Sequence, residues 1–330
     1  MTPSPAVAST PRGHAATALL SWSVVVVLAG FASARLVAHD GAMLLVWANS
    51  FTLYLYLPAY LVVAWAAWRR KRKLFCAAAI VVGCHLIWVV PDWRPAAAPS
   101  PAIDHGVAIR VFSANLRAGN RDRQGLIDEI RASDPDILLL QEYSPSWRES
   151  LTAAGLLSQY EHKSEVLRSS NFGEGVYSKW PLADQNVLNA DDAPIICLTV
   201  LVEGRRVRLY NIHPKPPSRG AYHRWREQWP VIFEHLQAET GPTMAIGDFN
   251  LTQHSAWHAR LTATHLRSAH EDRGRGSAVT WPNGEMSLPP IRIDHAMISP
   301  EFACQAIYEG EGRGSDHRPL IIDLVLLPEP

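Results

Sequence analysis

A chain of 330 residues can carry one large domain with an appendage, or two medium domains. Its 31 basic and 31 acidic residues cancel overall, but eight cations face three acids before residue 105, and 23 face 28 from there on. The larger part is therefore mildly acidic, which argues against a protein that coats nucleic acid through a broad basic surface, while a locally basic cleft stays open. Four cysteines, Cys76, Cys84, Cys197 and Cys304, show no C-x-x-C spacing, so neither a zinc nor a redox motif is present. Cys197 and Cys304 are expected as buried free thiols rather than as a disulfide.

In chain order, three segments come first. Thr17–Ala34 and Gly41–Trp68 carry no charge, and in Leu74–Pro91 His85 is the one ionisable side chain besides the cysteines. Each is near or above the ~20 residues that span a bilayer core. A cleaved signal peptide would account for the first alone. They read as three transmembrane helices at about 17–36, 42–68 and 74–91 within an N-terminal membrane region, residues 1–90. The second is too short for two spans, so its extra length implies tilt or a kink near Pro58. His85, close to a helix end, is expected at the membrane interface.

The run "RRKRK", Arg69–Lys73, lies between the second and third segments, and five consecutive cations belong on the cytoplasmic side. That places the N-terminus inside and everything after Pro91 outside: a multi-pass inner-membrane protein with an extracytoplasmic domain. Residues 91–106, "PDWRPAAAPSPAIDHG", read as a stiff Pro/Ala-rich linker reaching on the order of 45 Å.

From residue 107 to 330 strands and helices alternate. "VAIRVFSAN" (Val107–Asn115) is strand-like, "RDRQGLIDEIRAS" (Arg121–Ser133) has helical spacing, and "DILLLQE" (Asp136–Glu142) is a continuous apolar strand covered on both faces. Ile195–His213 reads as a hairpin turning at Glu203–Gly204. His223–Glu239 is a helix that Pro230 should kink or break, and "TMAIGDFN", Ile291–Ser299 and Pro319–Leu327 are further strands. The pattern gives an α/β class with mixed sheets.

Strand after strand ends in polar residues: Asn115, Glu142, Asn211 with His213, Asp248 with Asn250, Asp294, then Asp316 with His317. Side chains at i and i+2 of a strand share a face, so such ends can converge on one space. Oxygen donors without thiolates select hard cations such as Mg²⁺ or Mn²⁺. An Asp–His pair can polarise a phosphoryl group, and a lone Asp can take a proton from water. Metal-assisted phosphoester hydrolysis uses this set.

Taken together, "SANL", "LLLQE", "GEGVYSKWPL", "NIH", "GDFN", "RIDH" and "GSDHRPL" resemble, in order and spacing, the endonuclease/exonuclease/phosphatase (DNase I-like) superfamily over about residues 107–328. The resemblance implies a four-layer αββα sandwich, here preceded by the three transmembrane helices, with one Mg²⁺ or Mn²⁺ ion. It implies Glu142 and Asp316 as metal ligands, and Asp248 orienting or deprotonating water. Asn115, Asn250 and Asn211 would meet the phosphate. His213 and His317 would stabilise charge on the transferring phosphoryl group, with Asp294 buttressing His317. Some relatives carry an acid two residues after the first Asn; here Arg117 stands there, which favours one metal and offers a phosphate contact. The layout of spans followed by this domain also resembles VanJ-like membrane proteins associated with teicoplanin resistance.

Three further stretches invite rival readings. "HSAWH" (His254–His258) is an i, i+4 histidine pair, expected as an exposed helix face more than as a zinc site. "PKPPSRGAYHRWR" (Pro214–Arg226) is either a headgroup-contacting loop or solvated surface. "EDRGRGS" (Glu271–Ser277) reads as a flexible loop at the site's rim. The expected function is hydrolysis of a phosphate ester or pyrophosphate near the membrane, with membrane lipids and a phosphate-bearing, lipid-linked substrate as partners. An anchored nuclease and an inactive binding module are the alternatives.

Overall fold

A computed structural model describes residues 11–95, 105–190, 192–284 and 287–329. The chain divides into two compact units at Val90/Pro91.

The first unit is helical: α1 (Pro11–Ala38), α2 (Met43–Ser50), α3 (Thr52–Leu55), α4 (Leu57–Trp68) and α5 (Arg72–Val89). Small residues sit at the helix contacts, with Ala32, Ala59, Ala66 and Ala78 buried among Val25, Leu28, Val62 and Val81. Such residues let helix backbones approach closely in lipid. Leu19, Leu61, Ile80 and Ile87 point outward and remain exposed. Two helices, Ala15–Ala38 and Arg72–Trp93, are long and apolar enough to cross a membrane. The middle segment differs from the single span expected. Met43–Ser50 and Thr52–Trp68 meet at 76°, so a third crossing exists only if this bent pair counts as one. The sharp break falls at Phe51, not at Pro58, which instead opens α4 within its first turn, where its missing N–H costs no helical bond. His85 is buried among the helices of the unit, with Tyr60 Oη 3.0 Å from its Nδ1.

Among the described residues the second unit holds twelve strands in two six-stranded sheets. The first sheet runs β11 (Phe302–Glu309), β12 (Leu320–Leu326), β1 (Val107–Asn115), β2 (Ile137–Gln141), β4 (Glu174–Ser178), β3 (His162–Val166). The second runs β5 (Leu182–Ala190), β6 (Ala193–Val202), β7 (Arg205–Ile212), β8 (Thr243–Asp248), β10 (Asp294–Ile298), β9 (Arg267–Ser268). This is the expected α/β two-sheet sandwich. β6 and β7 form the hairpin about Glu203–Gly204, both with positive φ, as a tight two-residue turn requires.

Strand alternation sorts the core. Ile109, Val111, Ile137 and Leu139 point between the sheets, against Ile196, Leu198, Val207, Leu209, Met244 and Ile246. Their neighbours Phe112, Ala114, Leu138 and Leu140 point outward under α6 (Arg123–Ser133) and α7 (Pro145–Ala153), meeting Leu126, Ile127, Ile130, Trp147 and Leu151. This two-sided burial explains the continuous apolar run of β2. Asp122 and Ser144 cap the two helices, accepting from the Gly125 and Trp147 amides. On the second sheet α8 (Tyr222–Ala238) continues through Pro230 and sets the Trp229 ring 5.8 Å from Phe249 at a tilt of 33°.

α9 (Ala256–Thr262) and α10 (Ala269–Asp272) enclose a buried polar cluster outside the second sheet. His258 lies 5.1 Å from the His295 ring, with His270 and Arg292 fully buried beside them. The "HSAWH" histidines are thus inside the protein rather than on an exposed helix face. Burial, reinforced by the Arg292 charge, lowers His258 to about 3 and His270 to about 4. Because these imidazoles stay neutral in the fold, the unfolded chain takes up their protons first as pH falls below about 6.5. Their contribution to stability is present above that pH and lost on the way down. Relative to wild type, His270→Gln should therefore show a stability-versus-pH slope shallower by about 1.4 kcal/mol per unit between pH 6.5 and 4. Denaturation midpoints followed by tryptophan fluorescence across that range check it.

Candidate active site at the mouth between the sheets

The parity that buries Ile109 and Val111 also sends Ser113 and Asn115 between the sheets; likewise Gln141 follows Leu139, and Asn211 then His213 follow Leu209. In β8 the same face carries Met244, Ile246 and Asp248. Gly247 lets β8 approach β7: its φ is 144°, and a Cβ there would lie 2.3 Å from the Ile212 carbonyl oxygen. β10 runs antiparallel to β8 with Asp294 opposite Asp248. Since β1, β2, β7 and β8 end where β10 and β12 begin, all these polar groups gather at one mouth of the sandwich.

Asp248 is the hub. Its Oδ2 accepts from Asn115 Nδ2 at 3.2 Å and faces both His213 Nε2 and His317 Nε2 at 3.7 Å. Its Oδ1 accepts the Asn250 amide at 2.9 Å. Burial raises its carboxyl pKa, with Asp294 adding to the rise and both histidines opposing it. On the far side of the His317 ring, Nδ1 donates to Asp294 Oδ2 at 3.0 Å. Burial would lower His317, but the charges of Asp294 and Asp248 and this hydrogen bond outweigh it and push it up to about 10. His213 is lowered, because burial and the His317 charge outweigh the pull of Asp248. One imidazole is therefore cationic and its neighbour neutral. The Phe172 ring lies 5.8 Å from His213 and forms a wall of the mouth.

Glu142 and Asp316 stand beside this group. Glu142 Oε2 accepts the Ala118 amide at 2.8 Å, while Oε1 has only a long 3.4 Å contact from Asn115. Burial raises the Glu142 carboxyl, against the pull of the Ala118 amide and His317. Asp316 meets Arg117 at 3.7 Å, and that guanidinium is half exposed. Glu142, Arg117 and Asn250 all hold left-handed backbone, with φ of 52°, 54° and 50°. Non-glycine residues adopt it at a cost of order 1–3 kcal/mol, which clusters where geometry is functional.

The donors at this edge are carboxylate and amide oxygens with no thiolate, and their negative charge is only loosely met, so the set fits a hard divalent cation. A tighter group of potential ligands among the described residues is Asp248, Asp294 and His317, whose donor atoms lie within 4.8 Å of one another. There Nδ1 of His317 donates to Asp294 Oδ2, and Nε2 faces Asp248.

The Endonuclease/Exonuclease/phosphatase family profile matches residues 112–317, more than half of the chain. The chain belongs to the Endonuclease/Exonuclease/phosphatase family. It is a family of hydrolases that act on phosphate esters and generally use a divalent metal. A comparison with curated proteins found no match. Among solved structures, a humanized D. rerio TDP2 carrying 14 mutations is 16% identical with a TM-score of 0.57, over 66% of this chain and 98% of that one. The endonuclease/exonuclease/phosphatase from Beutenbergia cavernae is 21% identical with a TM-score of 0.52, over 68% and 72%. The Bacteroides thetaiotaomicron mannosyl-6-phosphatase Bt3783 is 19% identical with a TM-score of 0.52, over 66% and 99%. At these identities the likeness establishes the fold.

This family member brings together nine of the residues singled out in its sequence: Asn115, Arg117, Glu142, His213, Asp248, Asn250, Asp294, Asp316 and His317. Asn211 is the exception. It is fully buried, its Oδ1 accepts from Gln141 Nε2 at 2.6 Å and its Nδ2 donates to the Leu140 carbonyl at 3.1 Å. It ties the sheets together, fully buried beneath the mouth. Supporting residues escaped the sequence reading. Ser315 donates to the Asn115 carbonyl at 2.7 Å and accepts the His317 amide at 3.1 Å, and Thr280 accepts the Asp294 amide at 3.2 Å. Ser315 sits inside the quoted "GSDH" and Gln141 inside "LLLQE", but their partners are remote in sequence.

Asn211→Ala should remove one of the two Gln141 Nε2 hydrogen bonds, leaving that to Ser113 Oγ, together with the bond to the Leu140 carbonyl, and destabilise the domain by about 2 kcal/mol. Thermal denaturation together with KM measures it: a loss of stability with unchanged KM is the expected pair.

Proposed function

We propose that this chain is a membrane-anchored, extracytoplasmic metal-dependent phosphoesterase whose substrate is a lipid-linked phosphate or pyrophosphate. The observation that carries the chemistry is the buried Asp294–His317–Asp248 array beside Glu142 and Asp316. The apolar helices and the basic Arg69–Lys73 run support the anchoring and the orientation, and the acidic balance of the second unit disfavours a polymer tracked by charge.

Each residue has a part. Asp248, its basicity increased by burial, orients a water and accepts its proton as the oxygen attacks phosphorus. The bond from phosphorus to the leaving oxygen breaks, and that oxygen departs taking a proton from solvent. The His317 cation, held by Asp294, meets the charge that builds on the phosphoryl oxygens. Neutral His213 and the Asn115 amide hold those oxygens in place. Asn250, whose Nδ2 donates to the Pro214 carbonyl at 2.9 Å, steadies the turn that carries Asp248. Arg117 stands at the half-exposed rim toward an incoming anion. A divalent cation held by Glu142 and Asp316 would neutralise charge on the phosphate when bound.

The test is phosphate release by the full-length protein with Mg²⁺, from a polyprenyl pyrophosphate and from plasmid DNA in parallel. Release from the lipid, reduced at least ~10³-fold in Asp248→Ala and abolished by chelator, is the expected result. Nicked plasmid with untouched lipid would contradict it and make the protein a tethered nuclease. No turnover of either would favour a binding module.

A further inference from the structure

The chain just after β1 touches both carboxylates proposed above to hold the cation. The Ala118 amide donates to Glu142 Oε2 at 2.8 Å, and one residue earlier Arg117 Nε lies 3.7 Å from Asp316 Oδ1. The two contacts differ in kind. The first is a neutral backbone donor on one carboxylate oxygen, which is compatible with a cation on the other. The second sets a full positive charge beside Asp316, where a divalent cation meets like charge.

The Arg117 backbone is pinned, whereas its side chain is not. Its amide donates to Asn115 Oδ1 at 3.0 Å, and its carbonyl accepts from the Asn120 amide at 2.8 Å and from Trp147 Nε1 at 3.2 Å. Those bonds hold the left-handed φ of 54°. Trp147 is fully buried near the start of α7, where the Ser144 cap accepts its amide, and the Arg123 guanidinium lies 5.2 Å from its ring. A core residue thus carries a donor that fixes the rim. The Arg117 side chain is 53% exposed and that of Asp316 30%. A pair this open to water is weak, so the guanidinium can leave Asp316 while its backbone stays in place.

Resting on the phosphoesterase reading above, we propose that Arg117 is an exchangeable counter-ion, which holds Asp316 until a divalent cation is bound there and then turns to the substrate phosphate. Trp147 is the positioning residue that keeps the pivot fixed. The guanidinium presents paired donors that match phosphate oxygens, against one contact of 3.7 Å to Asp316. The consequence is linkage. Bound phosphate, by keeping Arg117 off Asp316, strengthens cation binding, and a bound cation strengthens phosphate binding by the same factor.

The experiment titrates the full chain with Mn²⁺, without and with inorganic phosphate, reading the free ion by electron paramagnetic resonance against a protein-free series. In the wild type, phosphate should tighten Mn²⁺ binding at least ~3-fold. Arg117→Gln should bind Mn²⁺ about fivefold more tightly than wild type without phosphate, and phosphate should change its affinity by less than about 1.5-fold. Trp147→Phe keeps a ring in the core but removes the donor to the Arg117 carbonyl. Its affinity without phosphate should stay within about twofold of wild type, while its phosphate effect falls to that of Arg117→Gln. Mn²⁺ binding unchanged or weakened in Arg117→Gln would overturn the exchange and leave the phosphoesterase reading standing. So would a phosphate effect that survives in that variant, and a full phosphate effect in Trp147→Phe would overturn the role of Trp147. A wild type whose Mn²⁺ affinity is indifferent to Glu142→Gln would remove the cation site, and the underlying reading along with it.

Discussion

Two carboxylates stand opposite each other across antiparallel strands, Asp248 on β8 and Asp294 on β10, on the face that points between the sheets. Like charges in directly paired positions repel, and burial makes the placement costlier still. His317 answers it. Its ring lies between them, bonded to Asp294 at 3.0 Å and 3.7 Å from Asp248. The remaining geometry serves to hold that cation there. Ser315 fixes the His317 amide and ties it to β1, Thr280 fixes Asp294, and the Asn250 turn fixes Asp248.

Around this core the site divides its labour by environment. The innermost groups are almost fully buried, and their mutual charges decide who is protonated: His317 charged, His213 neutral, Asp248 unusually basic for a carboxylate. Glu142, on left-handed backbone, and Asp316 lie nearer the surface, with contacts to Asn115 and Arg117 of 3.4 and 3.7 Å. On the function proposed above, proton handling and anion-charge stabilisation fall to the first group and cation binding to the second. Beneath both, Gln141 and Asn211 cross-brace the sheets with a neutral polar layer, which keeps the mouth rigid without adding charge.

Much of this was legible in the sequence because strands have period two. Once Ile109–Val111 and Met244–Ile246 are assigned inward, Asn115 and Asp248 must follow them, and the hairpin turn at Glu203–Gly204 fixes the face of His213. What was not legible depends on partners far away in the chain. Asn211 has the composition of a phosphate contact, and only Gln141, 70 residues away, reveals it as a strut. His254 and His258 show helical spacing, which says nothing of the later segments, around His270 and Arg292, that bury them. The Pro/Ala-rich composition after Pro91 gave no sign that Asp92 would find Gly276 across 184 positions. In the membrane region, hydropathy marks apolar length but not the backbone break at Phe51.

The division of labour is the claim on which the account stands, and metal binding tests it most directly. Mn²⁺ titration of the full-length protein, read by electron paramagnetic resonance of the free ion, compares wild type with Glu142→Gln and Asp294→Asn. The expected result is affinity weakened at least ~10-fold by Glu142→Gln and changed by less than about twofold by Asp294→Asn. The reverse pattern, with binding lost in Asp294→Asn and kept in Glu142→Gln, would place the ion among Asp248, Asp294 and His317 and contradict the account.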